Sequence, residues 1–346
     1  MPAYDHSPYS SLTERMKIEA KRLGFDACGV AEAKRLDDEA ERLETWLING
    51  LNASMDYMAR NFEKRVDPRK LVPDAKRVVT VLYRYWQGIE HANEAAKISR
   101  YAWGDDYHQV MKERLYKLYA WLENQVKTLS GRVFVDSAPV MDKVWAQRSG
   151  LGWIAKNSNL ISPQVGSWFF IGTLIVDVPL AFDPPATYDH CGSCTRCIDA
   201  CPTDAIYQPY VVDANRCISY WTIEHRGNSL PDHIVTQQEN WIFGCDICQE
   251  VCPWNKFSRK TTDPRFLPRE GVVDTPLDEW EELDIEDFRK RFKGSAVKRA
   301  KYEGFMRNVR AAKQFLARKK NSKFRNQFMN LKGLFRRLRT SFVWSH

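Results

Sequence analysis

Eight of the nine cysteines fall within residues 191–252, and their spacing is the most chemically specific feature of the chain. The first group reads Cys191-Gly-Ser-Cys194-Thr-Arg-Cys197-Ile-Asp-Ala-Cys201-Pro202, or C-x2-C-x2-C-x3-C-P. This is the bacterial ferredoxin run, in which three cysteines bind one 4Fe-4S cube and the fourth serves a second cube. The second group, Cys245-Asp-Ile-Cys248-Gln-Glu-Val-Cys252-Pro253, repeats the ending, with Cys217 placed 28 residues ahead of Cys245. The shared logic assigns Cys191, Cys194, Cys197 and Cys252 to one cube and Cys201, Cys217, Cys245 and Cys248 to the other. Two zinc sites are the alternative, since C-x2-C pairs also suit a zinc ribbon. Three cysteines at successive two-residue spacings and two Cys-Pro endings favour iron–sulfur. Cys28, in the apolar run FDACGVA, reads as a small core residue.

Two neighbouring cubes make an electron wire, which needs an acceptor and a proton source. Asp136 is the candidate acid. It ends the apolar run VFVD and precedes a turn at Pro139. Loss of solvation beside Val133, Phe134 and Val135 would let it hold a proton near neutral pH and donate it; the alternative is a cap on the next helix. Two other motifs carry less. Gly150-Leu-Gly152-Trp-Ile-Ala155 matches a dinucleotide fingerprint but follows a helical pattern instead of a strand. Asp106-Tyr-His108 is similar to the start of a cobalt-ligating corrinoid loop, yet the glycine required three residues on is Met111. Asp106 equally suits the N-cap of a helix.

The elements that must position these groups are legible from periodicity. Helices are expected from Ser11 to Gly24, over 37–49, over 107–129 and over 142–149; strands are expected at FDACGVA, over 76–85, at RVFVD and over 167–178. This mixture makes residues 1–182 an α/β unit within an α+β protein. The segment DPPATYDH reads as a linker, residues 183–260 as a ferredoxin-like domain, and 261–346 as a linker followed by a basic helical tail. In that tail Phe324, Phe328, Leu331, Phe335 and Leu338 form an apolar seam expected to pack on the body or on a neighbouring helix.

Charge is divided sharply. From residue 289 onward there are 19 Lys+Arg and one acid, Glu303, a net of +18; the preceding residues carry 33 bases and 43 acids, a net of −10. A basic segment on an acidic body suggests a polyanionic partner, nucleic acid ahead of an anionic membrane, against the plainer reading of a solvated helix face. The most apolar stretch, 168–182, is interrupted by Asp177 and Pro179 and is too short for a membrane span. The N-terminus lacks a signal-peptide pattern, so a cytoplasmic location with reduced cysteines is expected.

Taken together, EKRVDP, SRYAWGDDYH, VDSAPVMDK, RSGLGWIAKNSNLIS, GSWFFIG, the cysteine runs with NRCISYW, and GSAVKRAKYEGFMRNVRAA resemble the epoxyqueuosine reductases. The resemblance covers residues 12–312. It implies a nitroreductase-like, cobalamin-binding N-terminal domain, with cobalamin held against the two-cluster domain. The reaction implied is reduction of the epoxide of a modified guanine at the tRNA wobble position to the alkene of queuosine. Cobalt would attack a ring carbon while Asp136 protonates the leaving oxygen. Asp106 and His108 match substrate-pocket positions. Arg65, Ser99, Asp136, Met141, Leu160, Ile161, Ser162 and Ile171 match cobalamin-lining positions, with Ser219 and Asp246 approaching from the cluster side. Longer family members end in helical repeats that grip tRNA; here the contact must rest on the basic segment, including Arg299, Lys301 and Arg307, with strong salt dependence. Implied partners are the epoxyqueuosine-bearing tRNA and an external low-potential electron donor, acting on a monomer. A dehalogenase-like corrinoid enzyme and a ferredoxin-type carrier are the competing readings.

Overall fold

The computed structural model describes residues 8–92 and 95–340, with side chains from 9 to 320 apart from 93 and 94. In chain order the N-terminal half comprises α1 (Pro8–Arg22), β1 (Ala27–Glu32), α2 (Asp37–Ile48), α3 (Phe62–Val66), β2 (Arg77–Arg84), β3 (Lys97–Ile98), α4 (Tyr107–Glu123), β4 (Gly131–Phe134), α5 (Asp142–Arg148), β5 (Trp153–Ile154), β6 (Leu160–Ile161) and β7 (Phe169–Val176). Then follow α6 (Arg196–Asp199), α7 (Ile218–Ile223), α8 (Asp232–Val235), β8 (Trp241–Phe243), α9 (Ile247–Glu250), α10 (Leu277–Glu281), α11 (Ile285–Arg291) and α12 (Lys301–Thr340).

A four-stranded antiparallel sheet, ordered β1-β2-β7-β4, forms the first layer. Strand side chains alternate between faces, and both faces of this sheet are covered. Val79, Val81, Tyr83, Phe170 and Leu174 pack on Leu12, Met16 and Ala20 of α1 and on Val110, Met111, Leu115 and Leu118 of α4. Val78, Phe134 and Ile175 point the other way, onto Val144 and Trp145 of α5. Burial on two sides explains why β2 and β7 read as continuous apolar runs. Cys28 lies in β1 opposite Val81, and burial pushes its thiol up to about 12, consistent with a packing role.

The main elements appear where periodicity places them, with two differences. The helix expected over 107–129 stops at Glu123 with Asn124 as its C-cap, and Val126 and Leu129 fold back onto the core. Residues 261–300 are more than a linker. Val272, Leu277, Trp280, Leu283, Phe288, Phe292 and Val297 form one core with Ile98, Trp103, Ile242 and Phe243, closed by Phe305, Met306, Val309 and Ala312 of α12. Stacked and edge-on rings of Trp280, Phe292 and Phe305 lie at its centre, and truncating such a ring costs about 3–5 kcal/mol. This core binds the cysteine region to the first domain, as does the parallel pairing of β3 with β8. The apolar seam from Phe324 to Leu338 falls outside the residues whose side chains are described. Among the described residues, no helix is long and apolar enough to cross a membrane.

Candidate active site between the sheet edge and the cysteine loops

Asp136 lies two residues beyond β4, in the left-handed conformation (φ 52°). That conformation is uncommon for a residue with a side chain, though Asp tolerates it better than most. It swings the carboxylate away from the sheet and over the N-terminus of α4. There the Tyr107 hydroxyl donates to the Asp136 carboxylate, and His108 Nε2 stands 3.7 Å from it. Tyr107 is locked between rings, stacked on Phe170 at 4.4 Å and on His108 at 4.1 Å. Burial, followed by the charge of Asp136, holds the Tyr107 hydroxyl well above its usual range, so it is a neutral donor.

Asp106 performs both tasks open to it. Its carboxylate caps α4 by accepting the His108 amide at 3.0 Å and also holds His108 Nδ1 at 2.7 Å. The hydrogen bonds from His108 keep the Asp106 carboxyl below the usual range despite its partial burial. The solvent loss expected for Asp136 is not found: its side chain is 67% exposed, because the turn lifts it clear of Phe134 and Val135, which are the buried residues. Nor does it cap the next helix, where Met141 occupies the N-cap position.

The desolvated acid is instead Asp142, the first residue of α5. It accepts from Thr173 Oγ1 of β7 at 2.7 Å and from the Asp136 backbone, and burial pushes its carboxyl up to about 7. Sequence reasoning missed Tyr107, Asp142 and Thr173 because each acts across the sheet edge. A polar residue in the otherwise apolar FFIGTLIV run was the available signal for Thr173.

The surroundings of Asp136 come from several segments. Arg65 of α3, Lys143 of α5 and Arg299 just before α12 all feel its negative charge. Lys143 also senses Cys217 and Cys248, and its amine is held by the Ser158 carbonyl at 2.8 Å and by Asn159 Oδ1 at 3.0 Å. Arg65 is 9% exposed; one guanidinium nitrogen reaches the Tyr57 carbonyl at 3.1 Å, but its Nε is buried without a partner. Such an orphaned donor fits a site built to receive a polar ligand. Met141 packs near Val66, beside Arg65. Leu160 and Ile171 share an apolar cluster with Leu82 and Phe169, and Ser162 closes the neighbouring turn with Gly166. Ile161 points the other way, toward Cys191 and Cys252.

Ser99 and Asp246 are brought together, but with each other. The Ser99 hydroxyl and the Arg100 amide both donate to the Asp246 carboxylate, and Ser99 and Asp246 are 4% and 1% exposed. They tie the loop before α4 to the residue following Cys245, so they belong to the wall. Ser219 lies two residues beyond Cys217, in α7.

The cysteines sense one another mainly within the sets expected from their spacing. Cys197 and Cys252 both sense Cys191, and Cys252 senses Cys194. Cys248 senses Cys217 and Cys201, while Cys245 senses Cys248 and Cys217. All eight are free thiols, and Cys248 also senses Cys197 of the other set, placing the two groups side by side. Burial raises six of these thiols, so their thiolates call for compensating cationic charge such as cluster iron provides. Trp153, His190 and Trp254 wall the first set, with ring centroids 4.9–5.2 Å apart. Lys156 holds the Gly192 and Cys194 carbonyls. Gly152 is required by close packing, since a Cβ there would meet the Ile161 carbonyl at 2.1 Å; this accounts for the G-x-G-x-x-A match without a dinucleotide.

The basic residues differ in role. Arg299 pairs with Glu224 at 2.7 Å, 54% exposed, and Lys301 is exposed. Arg307 is 5% exposed and donates to the carbonyls of Trp221, His225 and Gly227, so it braces the cysteine region and is closed to RNA.

Residues 190–255 match the family model described as a 4Fe-4S double cluster binding domain, and residues 65–137 match that described as Epoxyqueuosine reductase QueG, DUF1730. The epoxyqueuosine reductase of Cellulophaga algicola is 50% identical over 297 residues, 86% of this chain and 96% of that protein. The chain belongs to the epoxyqueuosine reductase family. The Cyclobacterium marinum member is 49% identical, covering 87% of this chain and 96% of its own. Among solved structures, an epoxyqueuosine reductase with an epoxyqueuosine-modified tRNA-Tyr stem loop superposes with a TM-score of 0.81 at 30% identity. That match covers 87% of this chain and 80% of the solved one. The double-cluster match decides against zinc, and family membership decides against both the carrier and the dehalogenase-like readings.

Proposed function

We propose that the protein reduces epoxyqueuosine at the tRNA wobble position to queuosine, with Asp136 as proton donor to the departing epoxide oxygen. The observation carrying this reading is the placement of Asp136. It is a carboxylate turned out by a left-handed residue, held by the Tyr107 hydroxyl and within the field of Arg65, Lys143 and Arg299, in a chain of this family.

The two quartets suit two 4Fe-4S clusters, fed singly with electrons by an external low-potential donor. Cobalamin would be held by Arg65, which offers its unpaired Nε, and by Met141, Leu160, Ile171 and Ser162, the positions that the family resemblance implies. When bound, cobalamin supplies a cobalt centre that can be reduced to a strong nucleophile. The protein's own residues do the rest. Tyr107 holds the Asp136 carboxyl in place, and Asp106 fixes the ring of His108 beside it. Protonation by Asp136 spares the expulsion of a bare alkoxide, and such general-acid assistance is typically worth 10²–10⁴ in rate.

Arg299 and Lys301, both exposed within the basic segment that starts at residue 289, support contact with the RNA backbone. One chain supplies Asp136, both quartets and Arg65, so a monomer suffices. The boundaries consistent with this reading are a catalytic domain over 1–182 and a two-cluster domain over 183–260. Residues 261–312 complete the shared core before the tail continues.

The test is anaerobic turnover of reconstituted protein with a strong reductant and epoxyqueuosine-bearing tRNA, with and without cobalamin. Loss of one oxygen from the digested nucleoside, only with cobalamin, is the expected result. No conversion by protein whose iron content shows both clusters overturns the assignment.

A further inference from the structure

Removing an epoxide oxygen as water consumes two electrons and two protons. The first proton converts the opening C–O bond into a hydroxyl, and the second lets that hydroxyl leave as water while the alkene forms. The electrons arrive through the clusters of the proposed activity, but one carboxyl group carries one proton. Asp136 must therefore be reloaded within each turnover, or a second acid must act.

The geometry points to His108 as the relay that returns a proton to Asp136 between the two protonations, drawing it from the groove along α4. Three observations carry this. His108 Nε2 faces the Asp136 carboxylate at 3.7 Å, a gap that a small side-chain rotation closes. The opposite nitrogen, Nδ1, is held by Asp106 at 2.7 Å, which fixes the ring and stabilises the charge it takes on while carrying a proton. His108 also lines a second space: an open groove of about 390 Å³ bordered by Asp106, Gln109, Lys112, Glu113 and Tyr116, in which Asp136 takes no part. His108 thus touches both the acid and this polar groove, and once substrate covers the outward face of Asp136, which is open in the free protein, the ring is the side from which a proton can return. Tyr107, the other group on Asp136, is a neutral hydroxyl stacked on the core and lines no such path.

This inference rests on the proposed reduction, and its test separates the two. In His108→Asn the amide nitrogen takes the place of Nδ1 and can keep the Asp106 contact, while the relay nitrogen is lost. Wild type and variant, each with both clusters confirmed by iron content, are assayed for oxygen loss from tRNA-borne epoxyqueuosine, with imidazole and substituted imidazoles added at graded concentrations. The expected result is a fall in kcat of about 10–100-fold with the KM for tRNA unchanged. Activity should be restored several-fold by imidazole, in an order that follows the basicity of the added base. A kcat within twofold of wild type overturns the relay. So does a loss expressed mainly in KM or insensitive to every added base, which would assign His108 to substrate binding or to packing. Failure of wild type to remove the oxygen overturns the underlying reduction instead.

Discussion

Asp136→Asn isolates proton donation from every structural duty of the residue. Asn is among the residues best tolerated in the left-handed region that Asp136 occupies (φ 52°). Its amide oxygen can still accept from Tyr107. At a side chain 67% exposed, removal of the charge should change folding stability by no more than about 0.5 kcal/mol. What the amide cannot do is give up a proton. The expected loss is 10²–10⁴ in the oxygen-removal step, about 3–5 kcal/mol of barrier. The assay is single-turnover conversion followed by mass spectrometry of digested nucleosides, with thermal unfolding and iron content measured on the same preparation. Asp136→Ala is the poorer probe, since it adds strain of roughly 1–2 kcal/mol in the left-handed conformation and strands the Tyr107 hydroxyl. A folded, cluster-loaded Asp136→Asn protein that converts substrate within tenfold of wild type would refute the assignment.

Other consequences follow from the same geometry. Asp142, pushed up to about 7, binds a proton in the folded protein that the unfolded chain releases near pH 4. Its contribution to stability is therefore present below pH 4 and is lost as pH rises toward 7, by at most about 1.4 kcal/mol per pH unit. Asp142→Asn should remove that part of the slope, read as the difference between wild-type and variant urea midpoints from pH 5 to 8; parallel profiles would count against it. Arg307→Met should lower stability by about 3 kcal/mol, because three backbone carbonyls lose their donor, while RNA affinity at a temperature where the variant is folded stays put. Arg299→Ala should do the reverse, weakening binding and flattening its salt dependence. Cys252→Ser and Cys248→Ser lie in different quartets, so each should cost about half of the iron in a reconstituted sample; loss of all iron from either would show that the two sites assemble together.

Much of the molecule was legible before any coordinates. The cysteine spacing alone sorts the eight sulfurs into two sets, because short intervals oblige one turning loop to aim three sulfurs at one centre, and the double-cluster family match agrees on two clusters. The periodicities of α1, α2, α5, β2 and β7 were readable because each element buries a repeating face on a single partner layer. The acid at the end of VFVD and the Asp106–His108 pair could likewise be singled out from residue type and position. What composition and spacing could not supply was the environment of each group. Asp136 follows two buried residues, Phe134 and Val135, yet faces outward, because one left-handed dihedral reverses its direction. Asp142 has the desolvation expected of Asp136, and its hydrogen-bond partner Thr173, which partly offsets it, lies 31 residues away along the chain. Arg307 and Arg299 are alike in a charge count, but one is consumed by carbonyls of the cysteine region and the other stays exposed, paired with Glu224. Burial, partner and direction are properties of segments meeting from distant parts of the chain. Local sequence therefore determined which chemistry was available, and tertiary packing decided which residue performs it.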